Sequence, residues 1–248
     1  MDNSVFTQIM ERKSVRQFLD QPLTKEEEDS ILQAACQSPT AGNQQLYTIL
    51  KITDPDLKSR LADLCDHQKF IATAPFVLVF LADCVRWKKV YDSVGITSRD
   101  VNVGDLMLAF MDSCIAAQNA VVAAWSLGIG SCYIGDILEN KEDVSECLHL
   151  PRHIMPAGML VFGYPTQQQL SRKKPSRFDL DYIVQENTYR ERTSQEHQEA
   201  FEKRAAKDGL KTFSYKQWIE AFVKRKYDSD FSQEMSRSTA MYLNDFKK

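Results

Sequence analysis

Arg12, Lys13, Ser14 and Arg16 place three cations and a hydroxyl within five consecutive positions. Guanidinium forks and a serine hydroxyl supply directed donors and offset a charge near −2, which suits a phosphate monoester; a solvated basic turn has the same composition. A second basic run, Arg172 to Arg177, lies far away in the chain. Two such runs converging on one anion would serve a phosphate better than either alone, although spacing does not reveal convergence and an exposed basic loop is the alternative. Ser38 to Gln45 (SPTAGNQQ) presents small residues with amide and hydroxyl groups, able to line a flat heterocycle or to act as a plain connection. Gly128 to Gly135 (GIGSCYIG) superficially resembles a dinucleotide fingerprint, but it follows a helical pattern and precedes a strand, the reverse of the order that fingerprint requires. Its glycines still allow close approach of backbone to a ligand.

Other catalytic apparatus is missing. The chain has no G-x-S-x-G, no Walker loop, no H-E-x-x-H and no Cys/His pairing that suggests a protein nucleophile, so we assign no catalytic side chain and expect a cofactor to carry any chemistry. Six cysteines and four histidines are scattered without zinc spacing, which points to reduced thiols and no metal. A formal charge of −3 argues against a nucleic-acid-binding surface. No window approaches ~18 uninterrupted apolar residues, and Met-Asp-Asn-Ser is not a secretory start, so the expectation is a cytoplasmic protein with no membrane segment.

The 248 residues, 43% apolar and 26% charged, predict a globular chain large enough for one sizeable core. Residues 4–11 read as a helix, and Thr24 with Glu27 as a capping box opening another. Tyr47–Ile52 alternates like a strand, and Asp54-Pro55 starts a helix with Leu57, Leu61 and Leu64 on one face. Phe76–Ala82 is a strand buried on both faces. Residues 104–127 form a long core helix stopped by Gly128, followed by a strand at 131–134, a helix at 141–148 and a strand at 158–163. Beyond Gly163-Tyr164-Pro165 the pattern becomes an extended arm to about Tyr189, then two or three amphipathic helices with little core of their own.

In this order the residues Arg12-x-Ser14-x-Arg16-x-Phe18, Ser38-Pro39-Thr40-x-x-Asn43, Cys65-x-x-Gln68-x-Phe70 before Ala74-Pro75, Ala117-Gln118-Asn119, Gly130-x-x-Tyr133-Ile134-Gly135, Gly163-Tyr164-Pro165, Lys174-Pro175 and Glu186-Asn187-x-Tyr189 resemble the nitroreductase and flavin reductase family. The match is most similar to its larger NADPH-preferring branch. No single motif is specific; their succession across residues 12–189 is.

That resemblance implies an α+β fold with a mixed sheet flanked by helices. It also implies an FMN-binding domain over residues 1–190, a C-terminal helical extension over 191–248, and a homodimer with the flavin at its interface. By motif position Arg12, Lys13, Ser14 and Arg16 stand at the FMN phosphate, joined by Lys174 and Arg177. Gln68 addresses the ring system, Ile134 and Gly135 offer backbone near it, and Thr40, Gly42 and Asn43 line the ring or ribityl chain. Two departures stand out: the arm reads Lys-Pro-Ser-Arg, which makes Arg177 less secure than Lys174, and Asp136 brings a carboxylate to the flavin edge. The implied reaction is ping-pong, with NADPH as reductant and nitroaromatics, quinones or free flavin as small-molecule acceptors. A reductive dehalogenase of the same fold and a non-catalytic flavin carrier or sensor are the alternatives. For the NADPH 2′-phosphate, Lys203, Arg204 and Lys207 are the candidates, a solvated helix face being the competing reading.

Overall fold

The computed structural model describes residues 4–247 and separates two compact units, one running to Arg172 and resuming at Glu234, the other Lys173–Gln233. In the first unit, β1 (Tyr47–Ile52), β2 (Phe76–Asp83), β3 (Gly130–Ile134) and β4 (Ile154–Gly163) form one sheet in the order β1-β2-β4-β3, every pair antiparallel. The unbroken apolar run of β2 is buried along its whole length, as a central strand must be. Its side chains alternate between two cores: Val77, Val79 and Leu81 face one cluster, Phe76, Leu78 and Phe80 the other. The fourth strand starts four residues earlier than the sequence suggests. Pro156 is tolerated there because the register against β2 shifts between Phe80 and Leu81, a bulge that spares the ladder a missing donor.

The helices are α1 (Ser4–Glu11), α2 (Lys25–Cys36), α3 (Pro55–Leu64), α4 (Lys69–Ala72), α5 (Arg86–Ser93), α6 (Val103–Ser126), α7 (Lys141–Cys147) and α8 (Gln167–Ser171). The capping box of Thr24 and Glu27 opens α2, and Asp54 with Pro55 opens α3. Short α4 and α5 carry too few residues for a readable period. Helix α6 lays Ala109, Ala116, Ala117, Ala120, Val121 and Ala124 on the sheet and α2, small residues that allow close packing. Its other face is apolar and exposed, from Ile115 at 37% to Met111 at 59%, together with Met107 and Leu108. The core-helix reading therefore covers only half of α6.

Residues 14–18 extend the sheet beyond β3. Ser14 bridges Ser131 in parallel, the only parallel element of the sheet among the described residues, and the Val15 N–H donates to the Ser131 carbonyl at 2.9 Å. Phe18 bridges Pro165 in the antiparallel sense. Two glycines make room: a Cβ on Gly130 would lie 2.6 Å from Val15 Cγ2, and one on Gly163 would lie 2.8 Å from the Phe18 ring.

In the second unit, α9 (Leu180–Ile183) interrupts the expected extended arm, and α10 (Ser194–Lys207) and α11 (Tyr215–Lys226) follow. By packing, the arm from Lys173 belongs to the same compact unit as these helices. The unit has little buried core, as the pattern predicts: Phe178, Tyr182, Phe201, Trp218 and Phe222 form a chain of ring contacts at 4.6–5.3 Å but are only half-buried, and among the described residues of this unit Ala205 alone is a buried apolar residue. The last helix, α12 (Asp230–Asn244), contributes its residues from Glu234 onward to the first unit, where Tyr242 and Phe246 are buried beside Leu106 and Met155.

Substituting Gly130→Ala should destabilise the first unit by about 1–3 kcal/mol through overpacking, because the backbone of Val15 is held by its bond to Ser131 and cannot retreat. Thermal or urea unfolding measures this, and Val15→Ala should cost less in the Gly130→Ala background than alone.

Candidate functional site

Chain parity sorts the first basic cluster. In an extended segment alternate residues face opposite ways, so with Val15 fully buried, Arg12, Ser14 and Arg16 share the other face. They gather around Cys132 of β3. Burial pushes that thiol up, while Arg16, contacts from Ser14 and Arg16, and the charge of Arg12 act in the opposite direction. Among the described residues, neither Arg12 nor Arg16 takes part in an ion pair. Lys13 has the parity of Val15 and does something else: its ammonium donates to the Leu170 carbonyl at 2.6 Å and to that of Arg172, stapling the segment to the end of α8. Arg172 returns a bond to the Ser14 carbonyl at 3.0 Å, and the Arg16 N–H donates to Gln169 at 3.2 Å. Lys13 is thus committed to backbone carbonyls, whereas Arg12, Ser14 and Arg16 share the opposite face.

Gln68 is presented by a tight reversal after α3, where Asp66 (φ 59°) and His67 (φ 52°) adopt left-handed conformations in succession. Its amide nitrogen donates to the Cys65 carbonyl at 2.9 Å and to Asp136 Oδ2 at 3.1 Å. Asp136 follows Ile134, the buried last residue of β3, and the exposed Gly135. The structure therefore brings Gln68 beside the β3 terminus, as the motif order implies.

This terminus is clamped from behind by α12, a role with no local signal in the sequence. Glu234 accepts from the Asn140 N–H at 3.1 Å, and the Ser238 hydroxyl accepts from the Lys141 N–H at 3.0 Å. Arg237 forks onto Glu142 at 2.9 and 2.7 Å and reaches Glu234 at 2.8 Å. Its hydrogen bonds hold both carboxyls low, at about 2.

Thr40, Gly42 and Asn43 occupy a loop at the opposite edge of the sheet, leading into β1. Gly42 and Asn43 both have φ 56°, a pair of left-handed residues that glycine and asparagine accept most readily. Asp112, 3% exposed on α6, fixes the loop by accepting from the Ala41 N–H at 2.9 Å and the Leu46 N–H at 3.2 Å. The sequence shows Asp112 only as a carboxylate inside an apolar helix, and that anomaly was the available signal. Three strand spacings, roughly 14 Å, separate the β1 and β3 edges.

In the second unit, Lys174 is half-buried and Arg177 exposed. Arg177 lines a cleft of about 180 Å³ with Arg192, Lys203, Lys207, Asp179 and Glu199. Arg204 lines the same cleft, but its guanidinium lies 4.2 Å from the centre of Phe178, 4.9 Å from Phe201 and 5.3 Å from Trp218, so it is also engaged by a half-buried aromatic cluster. Lys207 pairs with Asp179.

Residues 9–164 match the model of the nitroreductase family. The chain is 36% identical over 191 residues, 76% of its length and 75% of the relative's, to an FMN reductase (NADPH) of Bacillus subtilis. It is 34% identical over 177 residues, 71% of each chain, to an oxygen-insensitive NADPH nitroreductase of Salmonella typhimurium. Among solved structures it resembles NfrA2 of B. megaterium, with a TM-score of 0.82 and 26% identity over 99% of this chain and 98% of that one.

The clamp titrates in a defined direction. Carboxyls whose folded pKa lies near 2 against about 4.3 unfolded contribute their full stabilisation above the unfolded value and lose it as the pH falls toward 2. Hydrogen-exchange protection of residues 234–247, corrected for intrinsic rate, should fall between about pH 4.3 and 2. In Arg237→Ala the loss should already be present at neutral pH.

Proposed function

Because the chain belongs to the nitroreductase family, we propose that it is an NAD(P)H-dependent FMN oxidoreductase that reduces nitroaromatics, quinones or flavins in a ping-pong cycle. The observation that carries this reading is Arg12 and Arg16, two cations on the same face as Ser14, both acting on Cys132 and without a carboxylate partner among the described residues. Like charges brought together repel unless an anion joins them, and a phosphate monoester supplies both the charge and the acceptor oxygens. FMN, when bound, supplies a two-electron carrier. The chain's own part is to anchor the phosphate through Arg12, Ser14 and Arg16, to present Gln68 and the backbone of Ile134 and Gly135 to the ring, and to leave an open face for nicotinamide and acceptor in turn. No side chain is assigned an acid or base role. Lys174 and Arg177 enter the same proposal on the strength of their motif alone.

Thr40, Gly42 and Asn43 belong to the proposed site yet sit at the far edge of the sheet from Gln68 and Gly135. A two-fold partner resolves this: one copy's loop at 40–46 beside the other's β3 edge completes two equivalent sites, with the exposed apolar stripe of α6 covered between them. The protein is accordingly proposed to be a homodimer in the cytoplasm, with residues 1–190 forming the FMN-binding part and 191–248 an extension on the same dimer. NADPH is the proposed reductant, and of the cleft-lining cations Lys203 is preferred to Arg204, whose guanidinium is engaged by three rings, as the candidate for its extra phosphate.

The purified protein should be yellow and should bleach when NADPH is added without oxygen; a colourless protein with no affinity for FMN would overturn the assignment. Steady NADPH oxidation with a quinone separates an enzyme from a flavin carrier. Arg16→Ala should weaken FMN binding about 10- to 100-fold, the worth of one charge-assisted contact of roughly 1.5–3 kcal/mol. Met111→Glu, harmless on an isolated chain where the residue is 59% exposed, should shift sedimentation toward monomer and lower FMN affinity with it.

A further inference from the structure

Gln68 has no freedom in how it presents its amide. Both atoms it faces on the protein side, the Cys65 carbonyl oxygen at 2.9 Å and Asp136 Oδ2 at 3.1 Å, are acceptors, so the NH₂ group must point toward them and Oε1 outward. The carboxylate that imposes this orientation is itself coupled to a second one. Glu139 is 4% exposed, its Oε1 has no hydrogen-bond partner among the described residues, and its backbone N–H closes a turn onto the Asp136 carbonyl at 3.0 Å. Every charged group set against it is acidic: Asp136 on its own turn, Asp66 from the reversal after α3, and Glu234 from α12. Cys65, at the end of α3, is held neutral by burial and by the same carboxylates. The cation behind Glu234, Arg237, is committed to Glu142 and Glu234. A buried carboxyl among three others keeps a proton: burial first, then the charges of Asp136, Asp66 and Glu234, push Glu139 up to about 7.

We propose that Asp136 fixes the Gln68 amide toward the flavin while the buried Glu139 carboxyl behind it takes up a solvent proton each time the flavin is reduced. This rests on the FMN reading above. Reduction by NAD(P)H delivers a hydride, two electrons and one proton, and leaves NAD(P)⁺. The negative charge added to the ring stabilises the protonated form of Glu139, which binds one proton from solvent and releases it when an acceptor reoxidises the flavin. Gln68, with Oε1 outward, accepts from a ring N–H and transmits the coupling. Asp136 and Glu139 are positioning residues; neither is assigned contact with substrate.

Two measurements test this. In the FMN-loaded wild type, the midpoint potential should fall with pH about twice as steeply from near pH 7 upward as it does in Glu139→Gln, since two protons instead of one accompany two electrons over that range. Infrared difference spectra should show a protonated carboxyl that titrates near pH 7 and disappears in Glu139→Gln. Asp136→Asn, which keeps an acceptor for Gln68 but removes a charge that raises Glu139, should also weaken the steeper slope. Parallel potential curves in wild type and variants, or no titrating carboxyl, would overturn the proposal. The infrared titration needs no flavin. A titrating carboxyl in a protein without affinity for FMN therefore sinks the cofactor reading and this coupling with it, whereas a yellow protein with parallel slopes sinks the coupling alone.

Discussion

Val15 is pressed so closely against Gly130 that one added carbon on the glycine would come within 2.6 Å of a Val15 methyl. That contact, with the Val15–Ser131 hydrogen bond, sets the level at which the N-terminal segment meets β3. Arg12, Ser14 and Arg16 then follow by parity, one face of an extended chain whose other face is buried. A second close approach, Phe18 over Gly163, ties the same segment to the end of β4. The cationic end of the site is a consequence of backbone docking, and its geometry depends on two positions where a side chain is not tolerated.

Carboxylates do much of the remaining positioning. Asp112 reaches out of the core helix to hold the 41–46 loop, Asp136 turns the Gln68 amide, and Glu234 secures the turn after β3 through Asn140. Each accepts from a backbone or amide N–H that would otherwise be left without a partner, where the loss costs most. The second unit uses the opposite device. Arg204 sits among three aromatic rings, its charge spread against their faces, which turns a residue that reads as surface charge into part of a half-buried aromatic cluster.

Where local rules operate, the sequence was a good guide. The Thr24–Glu27 and Asp54–Pro55 starts, the alternation of β1, the continuous apolar run of β2 and the stop at Gly128 each follow from short-range chemistry, and the structure places helices and strands there. Differences arise where a distant partner decides. The β4 strand begins early because β2 offers a bulge that accommodates Pro156, and in the tail half-buried aromatic residues dozens of positions apart meet around one arginine.

By itself, then, the sequence determined the α+β class, the family resemblance and the residue types suited to a phosphate and a flat ring, because these depend on identity, order and short periodicities. Only the tertiary structure decided that Lys13 is a staple to α8, that Arg204 sits among three aromatic rings, and that Asp112 fixes a loop some seventy residues away. It also decided that the loop at 40–46 and the β3 terminus lie at opposite edges of the sheet. The physical reason is the same in each case: a charged side chain is assigned its work by whichever acceptor, ring or buried N–H folding brings within about 3–5 Å, and that neighbour is set by the packing of the whole chain.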